Sequence, residues 1–150
     1  MAPTFEAQIQ PAMGGVGVPR IWSCRVQHSD LTVAAGSEKL TIGRISALDV
    51  CVLDCFTKVT VAFSGGTASD VKHDVGADAR GGNEYLDGAE ADLGGWEGVL
   101  TGVKGGDMDG RTAILGGDDD VSVTVIATGD TVDNLDAGDM TVYIRYYELP

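Results

Sequence analysis

From Arg20 onward, apolar and polar positions alternate with the period of a strand rather than a helix. "RIWSCRVQ" reads as a first strand ending at His28-Ser29-Asp30. "LTVAA" then runs into Gly36, and "KLTIGRI" follows. The longest candidate is "LDVCVLDCFTKVTVAF", Leu48 to Phe63. Its odd positions from Cys51 (Cys51, Leu53, Cys55, Thr57, Val59, Val61, Phe63) form a mostly apolar face. Asp54, Lys58 and Thr60 alternate with them and suit solvent. Such a length is unusual for one strand and predicts a bend or bulge near Asp54 to Thr57. The glycine pair in "SGGTAS" predicts a turn at Gly65-Gly66, where positive φ costs little. "DVKHDVG" then puts Val71, His73 and Val75 on one face, with His73 inward or at the rim, and Lys72 and Asp74 on the other.

The rest of the chain extends this picture. Residues 77–110 are irregular; "DGAEADL" reads as a single helical turn and "WEGVLTGV" as a short strand. A loop-rich stretch of this length in a compact domain is usually functional or interfacial. "RTAIL" leads to an acidic turn, "GGDDD", and then "VSVTVIATG" alternates cleanly. After the turn-rich "DTVDNLDAGD" the chain closes with "MTVYIRYYEL". There Met140, Val142, Ile144 and Tyr146 face one way, and Thr141, Tyr143, Arg145 and Tyr147 the other. No segment sustains a helical period. About eight short strands with Gly/Asp turns predict an all-β fold, an antiparallel, jelly-roll-like β-sandwich over residues 20–150. Residues 1–19, rich in Pro, Gly, Ala and Gln, read as an N-terminal arm with Phe5 and Ile9 as its anchors.

Charge narrows the partners. With 10 basic and 23 acidic residues, the formal charge of −13 opposes binding to nucleic acid or an anionic membrane. No apolar run reaches membrane-spanning length, and the N-terminus lacks the pattern of a signal peptide. Synthesis in a cytoplasm is the expectation. Three cysteines do not make a disulfide framework. On one strand Cys51 and Cys55 would sit roughly 13 Å apart, too far to bond, and they read as small buried hydrophobes.

Candidate chemistry is thin. His73-Asp74 invites an enzymatic reading, but neighbours on a strand point to opposite faces. No G-x-S-x-G nucleophile elbow and no phosphate-cradling glycine loop appear. Asp107 and Asp109 of "GDMDG", and Asp118, Asp119 and Asp120, offer oxygen ligands for a cation. The rest of an EF-hand loop is missing, and solvated turn acids are the simpler reading. The expectation is a protein that is not an enzyme, with no catalytic residue, cofactor or metal. Its candidate interface residues are Phe5, Ile9, Trp96, Tyr143, Arg145 and Tyr147. The tyrosines and Arg145 share the face of the last strand that the core does not need, and Tyr and Arg are enriched at interfaces.

Three pieces carry a family likeness: a strand ending in "AFSGG"; "DVKHDVGADARGGNEYLDGAEADL"; and "VSVTVIATGD" followed by "AGDMTVYIRYYEL". In this order and spacing, over Leu48 to Leu149, the chain resembles small virion proteins of tailed bacteriophages. These are single β-sandwich domains that serve as head decoration, or cement, proteins. The resemblance implies a structural protein on the capsid exterior that binds the major capsid protein, stabilises capsomer junctions and forms a homotrimer. The alternative it implies is a tail, neck or fibre component binding a host-surface glycan, for which Tyr85 and Trp96 beside acidic residues have the right composition.

Overall fold

The computed structural model describes residues 5–8, 20–45, 50–77, 81–83, 85–98, 114–115 and 119–148. Among the described residues ten strands form two antiparallel sheets. They are β1 (Phe5–Gln8), β2 (Arg20–Gln27), β3 (Ser37–Ile45), β4 (Val50–Ser64), β5 (Asp70–Ala77), β6 (Leu86–Glu90), β7 (Gly95–Gly98), β8 (Ile114–Leu115), β9 (Asp119–Thr128) and β10 (Ala137–Glu148). Sheet A runs β1-β2-β10-β4-β7, with β8 also pairing β4; sheet B runs β3-β9-β5-β6. Among the described residues no helix is long and apolar enough to cross a membrane.

The pairings are nested. β2 pairs β10, β3 pairs β9, β4 pairs β7 and β8, and β5 pairs β6. The chain is thus one long antiparallel hairpin whose tip lies between β5 and β6. Two further ladders, β10 with β4 and β5 with β9, roll that hairpin into a sandwich. This is the jelly-roll arrangement, and it explains how the alternating strands close over one core. β1 and β8 are additions to the eight strands of the roll.

Alternation dictates what is buried. Met140, Val142, Ile144 and Tyr146 of β10 all point inward, as their spacing predicts. They meet Trp22, Cys24 and Val26 of β2 and Cys55, Val59 and Phe63 of β4 within sheet A. Val71 and Val75 of β5 and Val121, Val123 and Val125 of β9 close the core from sheet B. Burying each such side chain contributes roughly 1.5–3 kcal/mol relative to exposure. Trp22 packs on Tyr146 with ring centroids 4.2 Å apart.

β4 carries an irregularity next to the 54–57 segment, as predicted, and others farther along. Its register against β10 shifts between Asp54 and Val52 and again around Thr60. The extra residue at Thr60 sends Val61 outward, where it is 48% exposed, against the expectation from strict alternation. A third irregularity, opposite Gly138, returns Phe63 to the core. A Cβ at Gly138 would lie 2.3 Å from the Phe63 ring, and its φ of 150° also disfavours a side chain. Gly65 and Gly66 take positive φ in the β4–β5 turn, as predicted.

Other expectations need correction. Leu31 to Ala35 is not a strand. A 3-10 turn at His28–Asp30 precedes it, and the Glu38 carboxylate accepts hydrogen bonds from the Thr32 and Val33 amides (2.6 and 3.0 Å), occupying donors a ladder would need. "DGAEADL" is not helical: its first four residues belong to β6, held by β5. Asp119 and Asp120 open β9 rather than lying in a turn. At the sandwich end, Asp130 accepts hydrogen bonds from the Thr67 amide (2.6 Å), the Thr131 amide (2.8 Å) and Asn134 Nδ2 (2.8 Å). These donors, the Thr67 amide foremost, hold its pKa down to about 2 and tie the β4–β5 turn to the 130–136 segment.

Candidate functional site: the outer face of sheet A

Five of the six candidate interface residues fall in sheet A. Phe5 is opposite Cys24 at the β1 edge, Trp96 opposite Lys58 in β7, and Tyr147 opposite Cys51 in β10. Tyr143 and Arg145 are on the outer face of β10, half-buried and exposed respectively. Ile9 lies outside the described residues.

The register builds this face row by row. Ser23, Tyr143, Phe56 and Gly98 align across β2, β10, β4 and β7, and Arg25, Thr141, Lys58 and Trp96 form the next row. Phe56 stacks on Tyr143, with centroids 5.2 Å apart and planes 15° from parallel. Sequence reasoning missed Phe56. The signal was present, because it shares the solvent-side parity of Asp54 and Lys58. Beside the stack, Arg145 donates from Nη2 to Asp54 Oδ2 (2.6 Å) and from Nε to Oδ1 (3.3 Å). Asp54 belongs to the wet face as predicted, yet it is only 7% exposed because Arg145 lies over it. Toward the other end of β10, Arg25 makes a two-pronged pair with Asp139, Nε donating to Oδ1 at 2.9 Å. Two arginines and Lys58 thus stand on one face of a strongly acidic protein.

His73 is answered by the same geometry. It points inward as predicted, but it is fully buried rather than at a rim. Its Nε2 shares a 2.8 Å hydrogen bond with the Thr57 hydroxyl, linking sheet B to sheet A through the core. Burial lowers its pKa to about 4, against a smaller upward pull from the Ala89 backbone, so the ring is neutral at pH 7. Nδ1 meets no partner at hydrogen-bond geometry. Asp74 lies on the opposite side of β5, where its Oδ1 accepts from the Gly88 amide (2.7 Å) across the β5–β6 irregularity. His73 and Asp74 therefore cannot act on one atom. Burial, with a smaller contribution from Asp54, pushes the Cys55 thiol far up, which leaves it a small hydrophobe.

Asp107, Asp109 and Asp118 lie outside the described residues, and Asp120 accepts from Arg44 at 3.1 Å. A different group, Asp70, Glu90 and Asp92, converges on the outer side of sheet B with ligand atoms within 4.8 Å of one another. Lys72 Nζ lies 3.7 Å from both Asp70 and Glu90 and already balances part of that charge.

No protein-family model matches the chain, and no curated protein matches it. Among solved structures it resembles a chain of the cyanophage Pam1 capsid asymmetric unit. The TM-score is 0.55 at 15% identity, covering 95% of this chain and 92% of that one. At that identity the likeness is one of fold, and it extends over nearly the whole of both chains.

Proposed function

We propose that this protein is a structural component of a tailed-phage virion, a head decoration protein that sits on the capsid exterior and reinforces capsomer junctions. The observation that carries the reading is the end-to-end jelly-roll likeness to a chain of a phage capsid asymmetric unit. The strand pattern and its resemblance to phage decoration proteins agree with it. The role in this reading is mechanical: His73 bridges the two sheets through Thr57, and on the outer face of sheet A Arg145 and Arg25 pair with Asp54 and Asp139.

The outer face of sheet A is the surface that meets the major capsid protein. Its Phe56–Tyr143 stack offers apolar area held rigid by packing, and Arg145 and Arg25 are pinned by Asp54 and Asp139. Interface hot spots favour such preorganised aromatic and arginine side chains. A homotrimer over a junction would hold several shell subunits at once, so modest contacts sum to firm attachment.

The test is the copy number of this chain in purified particles, by quantitative mass spectrometry against the major shell protein. A ratio near one to one supports decoration. A far lower ratio moves the protein to the tail, neck or fibre, and absence from the particle ends both readings.

A further inference from the structure

We propose that β1 is an exchangeable strand: when copies of this chain associate, Phe5–Gln8 of one copy pairs with the β2 edge of a second. The jelly roll is complete without β1, which stands outside the nested pairs at the margin of sheet A. Among the described residues its ladder is with β2, Phe5 opposite Cys24 through Gln8 opposite Ile21. A ladder of this kind is made of backbone hydrogen bonds and is the same whichever copy supplies the strand. The choice between the two arrangements then rests on the link between the strands.

That link is longer than an internal hairpin needs. Antiparallel neighbours can be joined by two residues, whereas "IQPAMGGVGVP", residues 9–19, separates β1 from β2. Eleven residues reach up to about 36 Å when extended, enough to leave the parent fold. Pro11 and Pro19 lack the amide hydrogen that would continue either strand toward a closed hairpin. Arg25 to Gln27 of β2 lie beyond the β1 ladder, so the edge that receives the strand is longer than the strand itself. Copies carrying a formal charge of −13 repel one another. A ladder supplies attraction that does not depend on charge, and passing each strand to the next copy in a closed ring covers the Ile21–Cys24 edge of every β2. The inference stands on the β1–β2 ladder and holds whether or not the protein belongs to a phage head.

The test uses the full-length chain and the register of Phe5 with Cys24, in a Cys51→Ser background. A donor carrying Phe5→Cys and Cys24→Ala is mixed with an acceptor that keeps Phe5 and Cys24, concentrated and oxidised. The expected result is a donor–acceptor disulfide on a non-reducing gel, mapped by peptide mass spectrometry to position 5 of the donor and Cys24 of the acceptor, a linkage in the register of the ladder. A single chain carrying Phe5→Cys with native Cys24 is the control for register. Closure within that chain with no donor–acceptor product overturns the exchange, and failure of both overturns the ladder. Should the cysteine variants misfold, Glu6→Pro with Ala7→Pro removes at least one amide facing β2. The expected result is loss of the oligomer in sedimentation with a cooperative melt retained, and an unchanged oligomer overturns the inference.

Discussion

β4 makes two polar contacts three residues apart, one on each face, and they are built for opposite surroundings. Thr57 reaches across the core to His73, and both are fully buried. Asp54 reaches along the outer face to Arg145, whose side chain is nearly half exposed. The inner contact stays neutral at pH 7 because an ion in that interior would be costly. The outer one is charged, bidentate and partly solvated, which suits guanidinium and carboxylate. The inner bridge therefore serves the register of the two sheets, while the outer one stiffens a surface.

Acid should separate the two most sharply. His73 is held near pKa 4, below its unfolded value of 6.5. The unfolded chain thus binds the proton more readily, and stability falls as pH drops from about 6.5 to about 4, levelling below. The full effect is about 3 kcal/mol. Denaturant melts across this range should show it, and His73→Leu should remove that part of the slope. Next, Arg145→Ala uncovers Asp54 and removes its two-pronged, charge-assisted hydrogen bonds, at a cost of about 2 kcal/mol. A double-mutant cycle with Asp54→Ala should recover most of it as coupling. Thr57→Val keeps shape but strands His73 Nε2, costing about 1–2 kcal/mol in chemical melts. Lys72→Met, on the outer side of sheet B, removes two 3.7 Å exposed pairs and should cost no more than about 0.5 kcal/mol. A loss from Lys72→Met equal to that from Arg145→Ala would erase the distinction between the outer faces.

Much of this was legible in the chain. Period-two alternation placed the inward row of β10, the inward His73 and the sandwich itself, because burial on one face leaves a direct trace in side-chain order. Tyr143 and Arg145 were found as the remainder of that row. Phe56 was not, although its parity with Asp54 and Lys58 put it on the outer face; its stack on Tyr143 arises only through the β10–β4 register. Asp54 and Arg145 are likewise distant in sequence, and no local pattern couples them. Val61 and the Leu31–Ala35 segment misled for a related reason. A bulge shifts parity by one, and the Glu38 carboxylate takes amides that composition alone assigns to a ladder.

The nesting of the strand pairs has a consequence for how the molecule comes into being. Arg20 meets Tyr146 in the outermost ladder, a contact whose closure from an open chain would be slow. Nesting relieves this. Once β5 and β6 have met near the middle of the chain, the gap still to be closed between β4 and its partners is short. The same holds in turn for β3 with β9 and β2 with β10. Assembly can proceed as a zipper that starts from the centre and runs toward both ends. On a chain emerging from a ribosome the β5–β6 pair is therefore the first of the nested pairs to become available, and β2 and β3 wait for the last strands to be made.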